Sequence, residues 1–117
     1  MIVIEVKTVS EANRRDHWAR KAKRAKGHRL SAYMLVRPMI QRECVSLPCT
    51  VRMTRVAPRA LDDDNLRSAI KATRDGIADA LGIDDRDPRV TWTYAQRRGA
   101  PKQYAVEVEV IRERDAM

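Results

Sequence analysis

The sequence predicts a single α+β domain of order β-α-β-α-β-β, with a mixed sheet of about four strands and two helices packed on it as layers. Three observations lead there. Short segments near both ends and in the middle alternate apolar and polar residues, the period of a strand. Two longer segments repeat their apolar residues every three or four positions, the period of a helix. The 117 residues suffice for one core and are too few for two, so residues 1–117 form one domain.

In order along the chain, "IVIEVK" alternates Ile2, Ile4 and Val6 and reads as a first strand. Trp18, Ala22, Ala25, Ala32, Tyr33 and Val36 fall near one helical face, which predicts a long helix from about Arg15 to Val36, with Gly27 a point of bending and Pro38 its end. "SLPCTVRMTRV" sets Leu47, Cys49, Val51 and Met53 on one face of a second strand, with Pro48 at its end or edge. A second helix runs from about Asp64 to Leu81, stopped by Gly82. "RVTWTYAQ" alternates Val90, Trp92 and Tyr94, and "QYAVEVEVIRE" alternates Tyr104, Val106, Val108 and Val110. Joined by the turn "RRGAPK", these two strands read as a hairpin. The final "RERDAM" reads as frayed.

With two Trp, three Tyr and no Phe, the core must be aliphatic, and 44% hydrophobic content with regular patterning excludes a disordered chain. Cys44 and Cys49 have neither C-x-x-C nor zinc spacing, and His17 and His28 are the only histidines, which argues against a zinc site and for two free thiols in a reducing cytoplasm. "MIVIEVK" becomes charged too soon for a signal peptide, and no apolar run could span a membrane.

Charge is the strongest clue to partners. Lys and Arg number 24 against 16 Asp and Glu, a net charge of +8, which points to a polyanion such as nucleic acid. The charge is segregated. Residues 14–29 hold eight bases (Arg14, Arg15, Arg20, Lys21, Lys23, Arg24, Lys26, Arg29) and one acid, whereas residues 61–87 hold eight aspartates and four bases. A basic helix and an acidic patch in one small domain imply separate roles.

The acidic patch opens with Asp62, Asp63 and Asp64 in a row. Aspartates at a helix start are favoured by the free N–H groups and the dipole, which accounts for one or two of them but not for three plus "DDRD" at the far end of the segment. At about 100° per residue, Asp64, Ser68, Lys71 and Asp75 share the face opposite Leu66, Ile70, Ile77 and Leu81, and Asp62 can turn toward the same place. Such a cluster suits a hard divalent cation. Mg²⁺ takes carboxylate oxygens and would relieve their repulsion, while the absence of a correctly placed Gly excludes an EF-hand.

The string "DDDNL…K…D…GIDD…V" resembles the RusA family of Holliday junction resolvases: D-x-D-N, a Lys and an Asp on a helix, then Gly, a hydrophobic residue and a D-D pair before a strand. Here these are Asp62, Asp64, Asn65, Lys71, Asp75, Gly82, Ile83, Asp84, Asp85 and Val90, and "SEANRRDHW" is similar to the family's Ser-x-Asn-Arg segment. The resemblance runs from about Lys7 to Arg112. It implies a homodimeric, Mg²⁺-dependent endodeoxyribonuclease (Mn²⁺ being the alternative ion) that cuts four-way DNA junctions in recombination and repair, of phage or prophage type and acting in a bacterial cytoplasm. By position, Asp62, Asp64 and one of Asp85 and Asp87 would bind metal. The D-D match favours Asp85, and counting back from Val90 favours Asp87. Lys71 would assist catalysis, although the family lysine commonly lies where Ser68 stands, so a three-residue insertion is implied before Lys71. Asn13, Arg14, Arg15, Arg20, Lys21, Lys23, Arg24, Lys26 and Arg29 would carry DNA arms, with Arg59 guiding the strand inward. Two other readings remain at this point: a junction-binding accessory without activity, and a nuclease for flaps or forks.

Overall fold

The computed structural model describes residues 1–9 and 18–112. It consists of β1 (Ile2–Ile4), α1 (Trp18–Glu43), β2 (Cys49–Ala57), α2 (Asp63–Ala69), α3 (Lys71–Leu81), β3 (Val90–Arg98) and β4 (Ala105–Arg112), the α+β architecture expected with one helix more. No helix among the described residues is long and apolar enough to cross a membrane. Cys44 is exposed and Cys49 buried, both as free thiols.

The four-stranded sheet has the order β1-β4-β2-β3, with β2 and β3 parallel and β4 antiparallel to both β1 and β2. The expected hairpin of the last two strands is therefore not formed: β3 and β4 flank β2 on opposite sides. The α2–α3 segment supplies the crossover that a parallel β2–β3 pair requires. The more apolar β4, with Ala105, Val106 and Val108 buried, takes the inner position, and β3, whose Thr91, Thr93, Arg97 and Arg98 are exposed, takes the edge.

Odd-numbered residues of β2 face the helices. Cys49, Val51 and Met53 join Ile4, Ala32, Val36, Met39, Ile40, Leu66, Ile70, Ile77, Ala80, Val90, Val106 and Val108 in one aliphatic core. Of the apolar face predicted for α1, only Ala32 and Val36 reach that core; Trp18, Ala22, Ala25 and Tyr33 are exposed. The phase is right but the helix outruns the domain. Twenty-six residues at about 1.5 Å each give ~39 Å, and the longest dimension of the whole fold is 41 Å.

Pro38 does not end α1, which continues to Glu43. A mid-helix proline costs about 3 kcal/mol. The turn beyond it buries Met39 and Ile40, each contributing about 1.5–3 kcal/mol, which offsets that cost. The second predicted helix is broken instead at Ile70 (φ −110°, ψ 11°), a fully buried residue, giving α2 and α3. Gly82 stops α3 as expected. Its φ of 73° lets its N–H reach Ala78 and Asp79, while Ile83 N–H bonds the Ala78 carbonyl.

Candidate active site

The approach to α2 is fixed by a side chain from β3. Gln96 accepts from Leu61 N–H at 2.8 Å and donates to the Leu61 carbonyl at 2.7 Å. Asp62 follows as the N-cap. Its Oδ1 accepts from Asn65 N–H at 2.9 Å and its Oδ2 from the Asn65 side-chain amide at 3.1 Å. Asp63 and Asp64 occupy the first turn, and all three aspartates are exposed. Capping and the helix dipole thus give Asp62 a full structural role and favour its two neighbours.

A second group forms at the other end of the acidic segment. Lys71 Nζ donates to Asp75 Oδ1 at 2.6 Å and to Asp85 Oδ2 at 3.0 Å. The Asp75 bond, assisted by that to Asp85, raises the Lys71 pKa above its ordinary value, and the Lys71 ammonium holds the Asp85 carboxyl below the usual range. The structure therefore joins three residues selected from the sequence: Lys71, Asp75 and Asp85. Asp87 stays outside the group. It accepts from the Arg89 backbone N–H and guanidinium, which hold its pKa down to about 2.

Arg74 organises this corner and was not among the residues chosen from the sequence. Its guanidinium donates to Tyr94 Oη at 2.6 Å and to the Asp85 carbonyl at 2.7 Å, and lies 4.6 Å from the Trp92 ring centroid. Trp92 Nε1 donates to the same Asp85 carbonyl at 3.0 Å. Alternation in "WTYAQ" puts Trp92, Tyr94 and Gln96 on one face, and an arginine on the facing helix was the signal available.

Each acidic group is therefore tied to β3 at a different point: Asp85 at Trp92, and Leu61–Asp62 at Gln96. Trp92 and Gln96 are four residue steps apart on the strand, about 13 Å at ~3.3 Å per residue. Between them, Arg67 stacks on Tyr94 at 5.2 Å and Arg74 bonds its hydroxyl. Among the described residues no three His, Cys, Asp or Glu side chains lie together as a metal-holding group. The expected joining of Asp62 and Asp64 with Asp85 or Asp87 is not seen. The break at Ile70 is one reason, since it interrupts the common face on which Asp64 and Lys71 were placed.

Two crevices flank Lys71 and Asp75. One, of about 560 Å³, has Lys21, His28 and Arg67 in its walls, and the other, of about 510 Å³, has Asp79, Asp84 and Asp85. Helix α1 forms a wall of both. Arg20, Lys23 and Lys26 are exposed on α1, and Lys21 and Arg24 are half-buried. Arg29 is committed elsewhere, bonding both oxygens of Asp79 at 2.7 and 2.8 Å and tying α1 to α3. Asn13, Arg14 and Arg15 lie outside the described residues. Arg59 is exposed in the loop before Asp62 and lines a different pocket.

With this geometry in place, the chain can be set beside known proteins. It is similar to an uncharacterized protein of Xylella fastidiosa (strain Temecula1 / ATCC 700964), 42% identical over 83 residues, which cover 63% of this chain and 52% of that protein. The chain spans about half the length of the curated relative it matches. No protein-family model and no solved structure matches it.

Proposed function

We propose that this chain is a RusA-like, divalent-metal-dependent endodeoxyribonuclease that hydrolyses phosphodiesters at branched DNA. The observation that carries this reading is the meeting of Asp75, Asp85 and Lys71 at one point, where crevices walled by the basic helix α1 converge.

The donor set fits the ion in part. Mg²⁺ binds through one or two carboxylates and keeps several waters. Asp75 and Asp85 already grip one cation, the Lys71 ammonium, so they fit a two-carboxylate site. Asp62 and Asp64 form a separate exposed pair at the start of α2. When bound, the ion supplies an activated water and relief of charge on the phosphate.

The protein's own groups supply the rest. Exposed bases of α1 hold DNA arms by phosphate contacts, which position the substrate without reading sequence. Lys71, 55% exposed, can swing from the carboxylates to the phosphate as a mobile point charge. Arg74 and Trp92 fix the Asp85 backbone and so aim its carboxylate. A two-fold dimer would present two such sites to a four-way junction.

One observation favours a second reading, a junction-binding accessory without activity: Lys71 fills the space between its carboxylates, and Asp62 spends both oxygens on Asn65. Incubating the protein and Mg²⁺ with a synthetic four-way junction, a fork and a linear duplex separates the readings. Cleavage of the junction that is lost in Asp85→Asn supports the nuclease. Tight binding without cleavage in Mg²⁺ or Mn²⁺ supports the accessory, and preferential cutting of the fork assigns a different branched substrate.

A further inference from the structure

At the C-terminal ends of the parallel strands β2 and β3 lies a pocket of about 410 Å³ whose walls hold Arg55, Arg59, Gln96, Arg97 and Arg98 and, among the described residues, no acidic one. Arg55 is the unusual member. It continues the core-facing phase of Val51 and Met53 and is 5% exposed. Among the described residues its guanidinium has only neutral partners: Nε donates to Thr8 Oγ1 at 2.9 Å and Nη1 to the Arg59 carbonyl at 2.7 Å. Burial pushes the Arg55 pKa down. Arg97 pairs with Glu107 at 2.7 Å, whereas no carboxylate among the described residues pairs with Arg55, Arg59 or Arg98.

A buried cation without a counter-charge is costly, and an oxyanion held by several guanidinium groups removes that cost. Arginine's planar fork matches phosphate geometry in particular. We propose that this pocket holds one phosphate group, with Arg55 at its base and Arg59 and Arg98 closing over it. Gln96, in the same wall, pins Leu61, so the held phosphate would lie beside the start of α2 and the Asp62–Asp64 pair. That the phosphate belongs to a DNA strand rests on the function proposed above; that the pocket takes a phosphate does not.

The test titrates inorganic phosphate into the isotope-labelled full chain at constant ionic strength, with chloride as the control anion, following the Arg55 Nε–H resonance and the melting temperature. A saturable shift and a rise in melting temperature with phosphate alone are expected. Arg59→Ala and Arg98→Ala, both at exposed positions, should each weaken phosphate about tenfold through a lost charge-assisted hydrogen bond, while melting as wild type in chloride. Equal responses to phosphate and chloride, or unchanged affinity in both variants, would overturn the proposal. Single-stranded oligonucleotides with and without a 5′-phosphate then identify the source. Equal displacement of phosphate by both supports an internal phosphodiester, and displacement by the phosphorylated strand alone supports a terminal monoester. Displacement by neither removes the link to nucleic acid, and loss of junction cleavage in Asp85→Asn is read independently of all three.

Discussion

Lys71 Nζ lies 3.0 Å from the carboxylate of Asp85, a residue delivered by the loop after α3. The same ammonium bonds Asp75 one helical turn on, so two carboxylates from separate elements close on one cation. Lys71 is 55% exposed, and exposed ion pairs contribute only about 0.2–1 kcal/mol to stability. Its removal should therefore be felt in catalysis and hardly at all in folding. Lys71→Ala should raise the barrier to junction cleavage by ~2–4 kcal/mol, as for other electrostatic stabilisers, with little change in melting temperature or junction affinity. Single-turnover kinetics and a thermal melt check this together. Normal cutting by the variant would leave Arg67 or Arg74 as the cation that serves the phosphate.

Asp62 allows capping to be separated from metal binding. Asp62→Ala should cost about 1 kcal/mol of stability through loss of the N-cap. Asp62→Asn keeps an acceptor for Asn65 N–H and should melt close to wild type. If Asp62 is also a ligand, cleavage collapses in the Asn variant while junction binding holds or tightens, because a negative charge near phosphate is gone. Wild-type cleavage by Asp62→Asn would restrict this residue to its cap.

The basic face of α1 should carry the salt dependence of binding. Replacing Arg20, Lys23 and Lys26 with Ala should reduce the slope of log affinity against log salt by about 3, roughly 0.9 per lost phosphate contact. Fluorescence anisotropy with a labelled junction over a range of salt measures it. An unchanged slope would make this face a merely solvated one.

Gly76 marks where α1 and α3 touch. A Cβ there would run into the Arg29 carbonyl and come within 2.8 Å of the Ala32 Cβ, neither of which can move without its helix. Gly76→Ala should destabilise the fold by about 1–3 kcal/mol or more, seen as a lower denaturant midpoint. A wild-type midpoint would mean that the two helices are free to separate.

The ion pair beside that crossing has a defined pH signature. The Arg29 guanidinium holds the Asp79 carboxyl below its usual range. The folded pKa is thus the lower one, so the pair's contribution is fully present above the unfolded value of about 3.9 and is lost as pH falls through the folded value. Asp79→Asn should lower the melting temperature modestly at neutral pH and match wild type at strongly acidic pH. An equal deficit at both would remove the ionised carboxylate as the cause.

Local periodicity revealed which segments are strands and helices, because burying one face imposes it directly. It could not reveal pairing: "TWTYAQ" and "AVEVEV" alternate alike, and β3 is marked as an edge by the exposure of Thr91, Thr93, Arg97 and Arg98 in the fold. Nor could it show the break at Ile70, since Leu66, Ile70, Ile77 and Leu81 suit a straight helix equally well. At the candidate site, the Lys71–Asp75 spacing and the D-D pair pick out residues that the fold brings together. The anchoring role of Arg74 was not legible, because its partners come from β3 and from a backbone carbonyl. Arg55 was in plain phase with Val51 and Met53, but an arginine on a core face looks like the end of a strand until a pocket opens beside it.

During synthesis the ribosome releases Ile2 early and Val108 late, yet the two are partners across the sheet. β4 also supplies one whole side of β2, from Cys49↔Arg112 to Val56↔Ala105. Until β4 emerges, β1 lacks the one strand it pairs with among the described residues, and β2 presents an open edge, a template for pairing with other chains. The parallel β2–β3 unit with its two helices can assemble first, but closure waits on contacts distant in sequence, which slow folding. The nascent protein therefore passes through a window in which the β4-facing edge of β2 is bare.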